Sequence, residues 1–197
     1  EMSSRGLGDV YKRQEYLRYY FACKLTSHVD DLDLNLEDFI QRVNSDLVNK
    51  LVNIASRCAK FIEKGNNGIL SNTIDAPELY QQVLDKKETI TELYEQREYA
   101  KAMREIMAQA DAANRYIDEK APWALAKEEG KAQQVQDICS MGIKLFRLLM
   151  VYLKPVLPET AEKTAAFLNC SLNLTDDLSF LTGHQINKFK PLMQRAD

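Results

Sequence analysis

This chain is short of the residues that interrupt helices and of those that build most catalytic centres. Of its 197 residues only 7 are Gly and 5 are Pro, while Leu, Ala, Glu, Lys, Gln and Arg are plentiful and β-branched runs are scarce. Helix formers therefore dominate, and the composition predicts an all-α protein. Histidine is limited to His28 and His184, neither at the Glu-x-x-His spacing of a di-iron bundle. No glycine-rich phosphate loop, GxSxG or HExxH is present, so catalysis within these residues is not expected. The four cysteines, Cys23, Cys58, Cys139 and Cys170, lie far apart without CxxC spacing. Three fall in apolar helical patterns, where a thiol acts as a small hydrophobe; no metal site is expected, and reduced thiols suit the cytoplasm. No apolar run approaches the length of a membrane span, and no signal-peptide hydrophobic region opens the chain. A formal net charge of −3 excludes a protein that holds nucleic acid by a broad basic field, but not one that recognises it locally.

What remains is helical grammar around one core, the size a chain of this length supports. Residues 1–14 lack apolar periodicity and hold two glycines, and read as a non-native tail or scar. Residues 15–34 form a short amphipathic helix bearing Leu17, Tyr20, Phe21, Lys24 and Leu25, followed by the acidic turn Asp30-Asp31-Leu32-Asp33. A helix bundle is expected over 35–168, then an irregular tail over 169–197. Asn35 is the expected N-cap of the first bundle helix, with Asp38 at its third position. Apolar residues at 36, 40, 43, 47, 51, 54, 58 and 62 then hold one helical face until about Gly65. Asp75, Pro77 and Glu78 read as the start of a second long helix, with Asp75 as cap, running to about Gln96. A third spans about 98–119 and stops at Pro122. The stretch from Val135 to Tyr152 is apolar nearly all round and should be the central helix. Pro155 and Pro158 end it and open a shorter one to about Leu168.

Two separated elements carry the candidate chemistry. Opposite the apolar face of the first bundle helix lies a polar strip of Arg42, Asp46, Asn49, Asn53, Ser56, Arg57 and Lys60. Some 65 residues on, at a helix junction, stands Pro122-Trp123 with the one tryptophan. An amide, a guanidinium and an aromatic plate are the groups needed to grip an unpaired nucleotide base. The same residues are also compatible with a solvated helix face and a core tryptophan, as in a helical interaction or scaffold domain. Asp111 and Asp118, on one face of the helix before Pro122, read most simply as solvated carboxylates.

Taken in order, Leu17-Arg18-Tyr19-Tyr20, Asp30-Asp31-Leu32-Asp33-Leu34-Asn35, the run from Asn44 to Arg57, Ala113-Asn114-Arg115-Tyr116-Ile117, Pro122-Trp123 and Leu153-Lys154-Pro155-Val156-Leu157-Pro158 resemble the C-terminal anticodon-binding part of bacterial methionyl-tRNA synthetase. The resemblance implies a helical bundle of the class I aminoacyl-tRNA synthetase anticodon-binding type, cut from a ligase that charges tRNA with methionine using ATP. ATP and zinc would belong to the catalytic portion of the parent, whose HIGH-like and KMSKS-like motifs are not in these residues. By the same resemblance Asn49, Asn53 and Arg57 correspond to polar anticodon contacts, Pro122-Trp123 to the stacking tryptophan and the residue before it, and the anticodon is CAU. Asp111 and Asp118 would discriminate against wrongly presented bases. The implied partners are methionine tRNA, through its anticodon loop, and the catalytic domain, with neither DNA nor membrane.

Overall fold

The computed structural model describes residues 4–29, 31–179 and 181–197, with backbone alone over residues 4–12. Residues 1–3 of the expected tail and Asp30 of the acidic turn lie outside the described residues. The elements are all helical: α1 (Ser4–Ala22), α2 (Leu36–Arg42), a π-helical stretch (Val43–Val52), α3 (Asn53–Asn66), α4 (Pro77–Leu84), α5 (Lys87–Glu95), α6 (Tyr99–Lys120), α7 (Pro122–Leu125), α8 (Ala132–Leu153) and α9 (Pro158–Leu168). Extended pairing among the described residues is limited to one bridge, Ile69 with Gln185. None of the described helices is long and apolar enough to cross a membrane.

The centre is α8, buried without interruption from Ile138 to Leu153. Its most extensive neighbour is α3, followed by α6, with α4, α7 and α9 completing the surround. A close approach makes the α3–α8 seam possible. A Cβ on Gly142 would stand 2.5 Å from Cys58 Sγ and 3.4 Å from Ile117 Cδ1. Cys58 and Cys139 are fully buried here and act as packing groups. Interaction with Cys58 and burial together hold the Cys139 thiol above its usual range, which keeps it protonated and inert.

Several helix signals read from the sequence are present. The Asn35 side chain accepts from Asp38 N at 3.0 Å and starts α2. α3 ends one residue beyond the expected Gly65, with Asn67 in the left-handed conformation as its C-cap. Other expectations are corrected. The rod from Leu36 to Asn66 is not α-helical throughout: ten residues in its middle take the wider π turn. The expected apolar face nevertheless holds from Val43 through Leu47, Leu51, Ile54 and Cys58 to Ile62, all fully buried, with Val52 buried beside it; it fails only at the N-terminal end, where Leu36 is left 63% exposed. Asp75 does not cap α4. That position is Ala76, in the left-handed region without a side-chain cap, and Asp75 instead accepts a hydrogen bond from the Tyr116 hydroxyl. Nor is the second helix continuous, since Asp85 and Lys86 separate α4 from α5. The carbonyls of Val83 and Leu84 near the break accept from the Tyr152 hydroxyl at 2.7 and 3.2 Å. That partner comes from 68 residues away, so the break is a tertiary effect.

Helical backbone extends N-terminally to Ser4, where residues 4–14 were expected as a tail. Glu15, at the edge of that stretch, is buried and accepts from the backbone N–H groups of Glu159 and Thr160, so α1 caps α9. The irregular tail is packed rather than loose. Leu172, Leu178, Ile186, Leu192 and Met193 are buried, and Asn44 exchanges two hydrogen bonds with the Ala196 backbone.

Replacing Gly142 by Ala should destabilise the protein by about 1–3 kcal/mol, the usual penalty for overpacking a dense core. A urea titration by far-UV circular dichroism should show the midpoint fall with an unchanged slope.

Candidate nucleic-acid interface

The turn between α6 and α8 places the tryptophan. α6 ends at Ala121, which takes φ 45° and closes the helix through its N–H to Ile117 O at 2.9 Å. Pro122 follows as the first residue of α7, where its missing N–H is harmless and its ring is buried. The chain is thereby turned so that Trp123 leaves the surface with 41% of its area exposed. The tryptophan is thus not a core anchor.

Across from it stands Arg57, on the half of the rod that has returned to α geometry. Its Cζ lies 5.5 Å from the centre of the Trp123 ring, within cation–π range. Two residues of α6 fix the guanidinium. Asp118 Oδ1 accepts from Nη1 at 2.5 Å, and Asn114 Oδ1 accepts from Nη2 at 2.7 Å. Asn114 also donates to Lys50 O at 3.0 Å and to Ala110 O at 3.1 Å, so the residue that holds Arg57 is itself held. A guanidinium has five N–H donors. Two are spent on α6, the buried Nε has no partner among the described residues, and one hydrogen on each Nη is left over.

Asn53 lies one turn before Arg57 on α3, half-buried, and its side-chain amide has no protein partner among the described residues. Asn49 does not continue that line. It sits in the π-helical stretch, where its Oδ1 accepts from Arg195 of the C-terminal segment at 3.2 Å. It lines a different depression, with Glu37, Gln41, Ser45 and Arg195. Asn49 is drawn to the C-terminal segment through Arg195, while Asn53 stands on the helix that carries Arg57. Asp111 pairs with Lys50 at 3.1 Å, so neither it nor Asp118 is simply solvated.

The structure therefore brings Arg57, Asp118 and Trp123 into one cluster, keeps Asn53 on the same helix, and sets Asn49 and Asp111 along the π-helical stretch. Sequence reasoning missed Asn114 as a site residue. The signal was in its spacing: residues 111, 114 and 118 fall at i, i+3 and i+7, so all three share the α6 face that meets Lys50 and Arg57. It also missed the cleft of about 400 Å³ beside the cluster, lined by Ser56, Arg57, Lys60, Phe61, Lys64 and Trp123. Among the described residues no group of His, Cys, Asp or Glu is arranged to hold a metal ion.

A family model described as the anticodon binding domain of methionyl tRNA ligase matches residues 70–184, more than half of the chain. The chain belongs to that family. A second model, described as tRNA synthetases class I (M), matches residues 7–59, including part of the stretch expected to be a tail. Arg57 and Asn53 fall in the second match; Asn114, Asp118 and Trp123 fall in the first. Among solved structures, the apo form of Mycobacterium tuberculosis methionyl-tRNA synthetase superposes with a TM-score of 0.80 at 20% identity, covering 93% of this chain and 39% of that one. The same enzyme in complex with methionyl-adenylate gives 0.77 at 21% identity, covering 92% and 37%. The fold is thus that of this part of a methionyl-tRNA synthetase, and the chain spans under two fifths of the length of these structures.

Asn114→Ala should lower stability by about 1–2 kcal/mol, because the Lys50 carbonyl and one Arg57 Nη lose a half-buried partner. Emission from the lone tryptophan should change in the folded state of this variant, since the cation over its ring is no longer fixed from the Asn114 side.

Proposed function

We propose that this chain recognises the anticodon loop of methionine tRNA, reading CAU for a parent ligase that joins methionine to that tRNA with ATP. The observation that carries the reading is Arg57, braced by Asp118 and Asn114, beside the exposed face of Trp123. In a scaffold protein the tryptophan would more naturally be buried and the arginine left to solvent. Here an aromatic plate and an oriented donor pair stand together at the surface.

Bases of a loop can be splayed out, stacked on the indole and read along their Watson–Crick edges. Stacking contributes about 1–3 kcal/mol per base and accepts any base. Selection must then come from Arg57. Its two remaining Nη hydrogens suit cytosine, which presents acceptors at O2 and N3. Uracil has a donor at N3, so one of those contacts becomes a clash of hydrogens, a mismatch of about 1–3 kcal/mol. Asp118 acts twice: it fixes the plane of the guanidinium, and its negative charge disfavours acceptor-rich groups presented from its side. Asn53 supplies an adaptable amide one turn away, Asn49 meets the loop through the edge it shares with Arg195, and Asp111 repeats the repulsive role next to Lys50. Pro122 keeps the tryptophan in its turn.

In this reading residues 35–168 are the anticodon-binding bundle, residues 15–34 lead in from the catalytic side and residues 169–197 close over it. ATP and zinc are left to the catalytic domain, the second partner of this chain. The setting is cytoplasmic, with neither DNA nor membrane as partner.

The test compares anticodon stem-loops carrying CAU and UAU. The wild-type domain should prefer CAU by roughly 5- to 150-fold, the equivalent of the 1–3 kcal/mol mismatch. Trp123→Ala should weaken both, and Arg57→Ala should abolish the preference. Asp118→Asn should reduce the preference while moving unfolding by less than about 1 kcal/mol, as an exposed ion pair contributes little to stability. Equal binding of both loops by the wild type would count against the assignment.

A further inference from the structure

The cleft beside Trp123 has a chemistry that base reading does not use. α3 continues past Arg57 with Lys60 and Lys64, both exposed, and both line this cleft with Arg57, Ser56 and the indole. The spacing 57, 60, 64 keeps them on one helical face over about 10 Å of axis. Of the three cations only Arg57 is neutralised, by Asp118. Among the described residues neither lysine has an ion-pair or hydrogen-bond partner. The one carboxylate on this part of the helix, Glu63, is turned to the C-terminal segment, where it accepts from Phe189 N at 2.7 Å. In a chain whose net charge is −3, two unpaired lysines on the wall of an aromatic cleft form a local positive field with no internal use.

We propose that Lys60 and Lys64 form a phosphate track that holds the sugar-phosphate backbone on either side of the base stacked on Trp123. This rests on the reading of Arg57 and Trp123 as the base site and adds the part that positions the strand. A base laid on the indole with its edge toward Arg57 must carry its ribose and phosphates out along the wall of the cleft. That wall is α3, and past Arg57 its cleft-lining side chains are Lys60, Phe61 and Lys64. Lysine suits this task as a mobile point charge that needs no fixed bond angle. Contacts of this kind set register and orientation without carrying sequence information.

The separation of tasks has a measurable form. On single-stranded RNA each neutralised phosphate contributes about −0.7 to the slope of log K against log salt. The variant K60Q/K64Q should therefore bind the CAU stem-loop about tenfold more weakly near 0.1 M salt, with a slope shallower by about 1.4. Its CAU over UAU ratio should equal that of wild type, and K60R/K64R should restore the slope. A blunt RNA duplex of matched charge, which cannot stack a base on Trp123, should be bound weakly and lose little in K60Q/K64Q. Both lysines are exposed, and circular dichroism should find the variant folded.

An unchanged slope in K60Q/K64Q, while wild type still binds in a Trp123-dependent way, overturns the track and leaves the base site standing. Equal losses on stem-loop and duplex also overturn it, because the lysines would then act as diffuse attraction. A change in the CAU over UAU ratio would make them base readers and overturn the division of labour. Failure of wild type to bind the stem-loop at all removes the base site and the track together.

Discussion

The candidate interface depends on how closely α3 can lie on α8. Gly142 leaves no room for even a methyl group against Cys58, and Cys58 is the residue next to Arg57. The depth of the seam thus sets the height of Arg57 above the core. From the other side, α6 packs on α8 and presents Asp118 and Asn114 to the same arginine. The guanidinium is carried by α3 and held by α6, two helices that share one buried neighbour, so its position belongs to the core as much as to the surface. Preorganisation of this kind lowers the entropy that binding would otherwise cost.

Around that fixed arginine the molecule uses two departures from regular helix. The first is the left-handed Ala121 followed by Pro122, which ends α6 and lifts Trp123 into solvent within two residues of a buried proline. The second is the π-helical stretch before α3. It sets Asn49 toward Arg195 and leaves the Lys50 carbonyl where the Asn114 amide reaches it. π-helical turns are uncommon and are frequent at functional sites. Here the stretch joins the C-terminal segment, which it binds through Asn44, to the helix that carries Arg57.

Much of this was legible before any coordinates. The Asn35 cap, the stop near Asn66, the junction at Pro122 and the central character of α8 all follow from local chemistry, because each is decided by residues within a turn or two. The pairing of Arg57 with Trp123 was legible through residue types and resemblance, although 66 positions separate them. What stayed hidden was decided at long range. The break between α4 and α5 is met by a tyrosine from α8, and the hydroxyl of Tyr116 draws Asp75 away from its capping role. The apolar steps of three and four from Val43 to Ile62 fit an ordinary α-helix and mark the buried face correctly, so periodicity alone gave no sign of the π-helical stretch. Asn114 was passed over because an asparagine in mid-helix has no distinguishing mark until the carbonyl and the arginine it joins are seen.

The central claim is that a loop base stacks on Trp123 under the control of Arg57. The most direct measurement is the single indole N–H resonance in a two-dimensional nitrogen–proton spectrum, followed while a CAU stem-loop is added. The account predicts a progressive shift of that one resonance, of the sense a stacked ring current produces, together with shifts in the Arg57 side-chain signals. An indole resonance that stays still at saturation, while amides elsewhere on the bundle move, would contradict it.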